Sequence, residues 1–154
     1  MKIMVSACLL GQKCKYNGGD NFSEKIRIFT EGHEVIPVCP EVAGGLPVPR
    51  IPCEIVNGEV VNAEGESKDM EFRLGAVKSL KLALQTCPDL VILQSRSPSC
   101  GVLQVYDGSF SGRFVKGSGI FASMLMESGF KVLDVEELNA EEPDVEEPDS
   151  AYRE

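Results

Sequence analysis

Six cysteines lie in the 154-residue chain, and three of them, Cys8, Cys39 and Cys100, occupy positions from which thiolate chemistry could be done. Thiolates hold iron–sulfur clusters and zinc, and they also serve as nucleophiles. An iron–sulfur cluster usually takes four cysteines. Three would leave one iron without a protein ligand, and such an iron can act as a Lewis acid toward a substrate. A zinc site built from the same three cysteines and His33 is a second option, although no Cys-x-x-Cys pair supports it. A Cys–His dyad is a third, and it requires His33, the single histidine, to reach Cys39 or Cys100. Plain burial is a fourth, because free cysteine is among the most buried residue types.

Two segments around these cysteines carry further polar chemistry. Residues 38–50 (VCPEVAGGLPVPR) place the Glu41 carboxylate two positions from Cys39 and the Arg50 guanidinium nine positions beyond Glu41. Glu41 is placed for general acid/base work; a structural ion pair between Glu41 and Arg50 explains the same residues. The Gly44-Gly45 pair permits close backbone approach. Residues 95–101 (SRSPSCG) are dense in hydroxyls and amides, which suits hydrogen bonding to a polar heterocycle or oxyanion and equally suits an ordinary turn. Cys14 and Cys53 lie in the same loops as candidate ligands, as spare or reactive thiols. Cys87 ends an apolar stripe and reads as core.

The elements that must position these residues alternate. Residues 2–6, 34–38, 89–95 and 130–135 read as strands, the third being a nearly unbroken leucine and β-branched run of the kind found in covered parallel strands. Residues 23–30, 71–86 and 119–128 read as helices. In the long one, Phe72, Ala76, Leu80, Ala83, Leu84 and Cys87 form the apolar side. Such alternation predicts one three-layer α/β/α domain with a mainly parallel four-stranded sheet. Asn57-Gly58 within 55–63 and Asp107-Gly108 within 105–115 predict two added hairpins. Cys8, Cys39 and Cys100 then fall in loops beyond the carboxyl ends of three parallel strands, the edge where open α/β sheets bind ligands.

Net charge is −9, but it is unevenly spread: residues 134–154 hold ten acids and one arginine, whereas residues 1–133 hold fourteen acids and fourteen bases. The chain therefore reads as a domain at 1–137 followed by an acidic, disordered tail at 138–154. A neutral body without a basic cluster argues against duplex nucleic acid and for a small-molecule ligand. No apolar run is long enough for a membrane span and no secretory signal is evident, so the chain reads as cytoplasmic, where six cysteines are not expected to form disulfides. No feature marks an oligomer interface.

Four motifs in order, Ser6-Ala7-Cys8-Leu9-Leu10-Gly11, Cys39-Pro40-Glu41 with Gly44-Gly45-Leu46-Pro47 and Pro49-Arg50, Ser97-Pro98-Ser99-Cys100-Gly101, and Tyr106-Asp107-Gly108, resemble the thiouracil desulfidase family over residues 1 to about 137. The resemblance implies a 4Fe-4S enzyme that removes sulfur from a thiolated uracil without redox turnover, and hence an oxygen-sensitive protein. It implies Cys8, Cys39 and Cys100 as the cluster ligands, with the fourth iron open to the substrate sulfur and sulfide departing onto the cluster. Glu41 takes the acid/base role, a serine assists, with Ser97 the first choice and Ser99 the second, and Arg50, Gly44 and Gly45 shape the pocket. The alternative from another class is a non-catalytic metal-binding or iron–sulfur module that carries sulfur to a partner.

Overall fold

A computed structural model describes residues 1–138, so the expected tail lies outside the described residues except for Leu138, which is buried. The elements in chain order are β1 (Lys2–Ser6), α1 (Glu24–Thr30), β2 (Glu34–Val38), α2 (Pro40–Ala43), β3 (Cys53–Val56), β4 (Glu59–Asn62), α3 (Asp69–Thr86), β5 (Leu90–Leu93), β6 (Gln104–Tyr106), β7 (Phe114–Lys116), α4 (Ile120–Glu127) and β8 (Val132–Asp134). β2, β1, β5 and β8 form a four-stranded parallel sheet in that order, as the alternating pattern predicts.

Side-chain alternation along the strands builds a core on each face of the sheet. Ile3, Val5, Leu90, Ile92 and Leu133 pack on one face with Ile26 and Phe29 of α1. Met4, Val91 and Leu93 point the other way, onto Ala76 and Ala83 of α3 and Phe121 and Leu125 of α4. α1 starts where the Ser23 hydroxyl accepts the Ile26 amide, capping an otherwise orphan donor. A third, smaller core of Leu46, Val60 and Phe72 lies under the β3–β4 hairpin.

That hairpin turns at Asn57 and Gly58, both at positive φ, as the Asn-Gly signal requires. The second hairpin differs from expectation. Tyr106 pairs with Phe114, so Asp107-Gly108 opens a long loop rather than making a two-residue turn. Gly108 takes φ +93°, and a Cβ there would lie 2.7 Å from the Ile55 carbonyl oxygen, so the loop seats closely against β3.

The apolar face of α3 also differs. Its buried residues are Phe72, Gly75, Ala76, Ser79 and Ala83, while Leu84 is 56% exposed and Cys87 is exposed at the helix end in a left-handed conformation. Leu84 lies one residue, about 100°, beyond Ala83 and so rotates off the contact face. At Gly75 the face carries no side chain because α2, a single turn started by Pro40, sits directly on it. A Cβ on Gly75 would lie 1.8 Å from the Pro40 carbonyl, and one on Gly44 would lie 2.0 Å from the Glu71 carbonyl. This glycine contact fixes α2, and with it Cys39 and Glu41, against the body of the domain.

Gly75→Ala is a direct test. Alanine at a helix-interior glycine ordinarily stabilises by about 1 kcal/mol, whereas overpacking costs about 1–3 kcal/mol. Urea denaturation is expected to show net destabilisation; a stabilised variant would refute the close α2–α3 contact.

Candidate active site

β1, β2 and β5 run parallel, so their carboxyl ends open on one edge of the sheet. β1 leads into a 3-10 turn, Ala7–Leu10, that carries Cys8. β2 ends at Val38 and Cys39 caps α2. Beyond β5 the chain turns through Ser97–Cys100, where the Ser97 hydroxyl accepts the Cys100 amide at 2.7 Å. The turn is tied to the sheet by the Ser95 hydroxyl, which donates to the Asp134 carboxylate. Cys8, Cys39 and Cys100 all line one cavity of about 470 Å³, and Cys14 and Cys53 line it too.

Glu41 sits at the centre of a hydrogen-bonded chain. The Ser99 hydroxyl donates to Glu41 Oε2 at 2.7 Å and lies 3.2 Å from the Ser97 hydroxyl. On the other side, Arg50 Nε and Nη2 donate to Glu41 Oε1 at 3.1 and 2.8 Å. The Arg50 side chain is 7% exposed and that of Glu41 is 14% exposed, so the pair is nearly dry. Arg50 donates further to the Pro47 carbonyl at 3.1 Å and the Cys14 carbonyl at 2.9 Å. Four of its five N–H groups are therefore engaged by protein, and from the cavity lining it acts as a clamp on Glu41. Gly44 and Gly45 lie outside the cavity lining; Gly44 serves the α2–α3 contact and Gly45 follows at φ +94°.

The thiols differ in acidity. Burial pushes Cys100 up to about 12, against the Ser6 and Ser99 hydroxyls that favour its thiolate. Burial also raises Cys8, offset in part by the Asn21 amide, whose Nδ2 donates to Cys8 Sγ at 3.4 Å. Burial raises Cys53 to about 11. Cys39 goes the other way, down to about 7, because the Cys14 thiol donates to it; the shared proton stays on Cys14, whose acidity falls.

Two of the sequence options fail here. Among the described residues no three Cys, His, Asp or Glu side chains are close enough to hold a single metal ion. His33 Nδ1 is instead 2.8 Å from the N-terminal amine, which removes it from both the zinc site and the Cys–His dyad. Sequence reasoning missed Asn21, Ser6 and the contact between Cys14 and Cys39. Asn21 carries no motif, and Cys14, which stands out as a thiol, is revealed as the partner of Cys39 only by their placement.

The chain matches the family model described as 2-thiouracil desulfurase over residues 3–137. A Bacillus subtilis (strain 168) protein, named Uncharacterized protein YbbK, is 40% identical over 147 residues, covering 89% of this chain and 97% of its own. The solved structure of TudS, a [4Fe-4S]-dependent thiouracil desulfidase, superimposes with a TM-score of 0.83 at 37% identity, covering 89% of this chain and 92% of that one.

The thiol order is checked by iodoacetamide labelling of reduced, metal-free protein near neutral pH, followed by peptide mapping. Only thiolate reacts, so among the cavity cysteines Cys39 is expected to label before Cys8, Cys14, Cys53 and Cys100, with a rate that falls as pH drops through about 7. Labelling of Cys8 or Cys100 first would contradict the arrangement.

Proposed function

The chain belongs to the 2-thiouracil desulfurase family, and we propose that it hydrolyses the carbon–sulfur bond of a thiolated uracil or a related thio-heterocycle with a 4Fe-4S cluster held by Cys8, Cys39 and Cys100. The overall change is thiocarbonyl plus water to carbonyl plus hydrogen sulfide, which needs no oxidant or reductant. Residues 1–137 are the cluster-binding unit.

The observation that carries this reading is the convergence on one cavity of three thiols from three loops with a carboxylate fixed beside them. The donors suit the cofactor: they are three soft sulfur ligands on one cavity, and Asn21 and Ser6 supply hydrogen bonds to thiolate sulfur. A 4Fe-4S group bound by three thiolates supplies one iron without a protein ligand, a Lewis acid toward thiocarbonyl sulfur and an acceptor for hydrosulfide.

The chain's own residues do the proton work. Arg50 holds Glu41 Oε1, which leaves Oε2, bonded to the Ser99 hydroxyl alone among the described residues, as the oxygen to take a proton from water. Ser99, donating to Oε2, positions that oxygen and can pass its hydrogen bond to the incoming water. Ser97 is one step further away, holding the Cys100 amide and the Ser99 hydroxyl. We therefore propose Ser99, the second choice from sequence, as the assisting hydroxyl in place of Ser97, because it is the serine bonded to Glu41. Arg50 and the backbone around Gly44 and Gly45 set the carboxylate's place rather than meet the substrate. On the same reading the protein belongs in a reducing, cytoplasmic setting, and an open iron makes it oxygen-sensitive.

With anaerobically reconstituted protein and 2-thiouracil, Glu41→Gln is expected to keep iron content and visible spectrum while turnover falls by about 10²–10⁴. Ser99→Ala is expected to lose more turnover than Ser97→Ala. Activity retained by Glu41→Gln would remove the acid/base assignment.

A further inference from the structure

One buried carboxylate in the cavity has no part in the chemistry above. Glu54 of β3 is 8% exposed and lines the cavity, yet no cation pairs with it among the described residues. Burying a carboxylate is expensive unless its oxygens are hydrogen-bonded. One oxygen is satisfied: Oε1 accepts the amides of Gly108 at 2.9 Å and Phe110 at 3.1 Å. The other, Oε2, accepts no hydrogen bond among the described residues and is not among their fully buried unpaired atoms, so it keeps some solvent access on a residue that lines the cavity.

The same contact holds an aromatic wall. Phe110 adopts φ +57°, a left-handed backbone that a bulky side chain rarely takes without support, and the two amides bonded to Glu54 are that support. Phe110, Tyr16 and Tyr106 all line the cavity, and flat aromatic faces suit a planar heterocycle.

We infer that Glu54 is the substrate-orienting residue: Oε2 accepts a ring N–H of the thiolated pyrimidine while Oε1 fixes the Phe110 loop against the ring. This rests on the desulfidase reading. A uracil-type ring offers N–H donors next to its carbonyl and thiocarbonyl groups, so an acceptor on one side determines which exocyclic atom faces Cys8, Cys39 and Cys100. Glu54 is thus a binding residue, distinct from Glu41.

The test compares wild type and Glu54→Gln on 2-thiouracil, 1-methyl-2-thiouracil and 3-methyl-2-thiouracil, with turnover under anaerobic conditions and binding by equilibrium dialysis. Glutamine can keep the acceptor for the two amides but presents a donor where Oε2 was. Loss of a hydrogen bond to a charged group is expected to raise KM or Kd for 2-thiouracil about tenfold or more, with a smaller fall in kcat. In wild type, one of the two N-methyl isomers is expected to suffer a similar penalty, and that penalty is expected to vanish in Glu54→Gln. The wild-type arm does not depend on the variant's folding: if neither methyl isomer is penalised, the inference fails. It fails alone if wild type turns over 2-thiouracil and Glu54→Gln binds it equally well, or if the methyl penalty persists in full. If wild type neither converts nor binds 2-thiouracil, the desulfidase reading and this inference fall together.

Discussion

A single buried cation ties the site together. Arg50 reaches from the loop after α2 to Glu41, to the Pro47 carbonyl and to the Cys14 carbonyl, so the segment carrying Cys14 and the turn carrying Cys39 share one anchor. Its attraction for Glu41 acts in a nearly dry setting, where removing one partner of an ion pair costs about 3–5 kcal/mol because the other is left uncompensated. The second Glu41 oxygen, held by Ser99, extends the anchor to the loop of Cys100. Three loops that are distant in sequence are thereby held to one carboxylate.

That network functions only because the scaffold delivers its members to one place. Parallel strands put the loops at one edge, and the Gly44–Gly75 contact lowers α2 onto α3 so that Glu41 faces the cavity. The sheet, covered on both faces, is rigid and apolar; the site lies at its rim, where polar groups can be satisfied by the loops themselves. The β3–β4 hairpin and the β6–β7 loop then close the far wall, joined through Glu54.

The fold was largely legible in the sequence because its determinants are local. The Leu90–Leu93 run, the Asn57-Gly58 turn and the spacing of strands and helices each report on their own neighbourhood. Along the long helix the predicted face holds at Phe72, Ala76, Leu80 and Ala83 and fails only at its end, where Leu84 and Cys87 are exposed, while Gly75 and Ser79 join it because α2 and the sheet approach closely there. In the site, the thiols and Glu41 stood out by residue type and strand-end position. Their partners did not. Ser99 meets Glu41 across 58 residues and Gly108 meets Glu54 across 54, and pairings at such separations leave no periodic trace. For the same reason Asn21 is silent and Cys14, visible as a thiol, gives no sign of its pairing with Cys39, while His33, chemically attractive by type, binds the N-terminal amine.

In the proposed site three thiolates hold a four-iron cluster beside Glu41. That arrangement is tested most directly by counting iron and acid-labile sulfide per chain, with the visible spectrum, after anaerobic purification and reconstitution. The expected result is a brown protein with about four of each, falling sharply when Cys8, Cys39 or Cys100 is replaced by alanine. A colourless, iron-free chain under those conditions would contradict the account and leave the three cysteines a structural or thiol-based role.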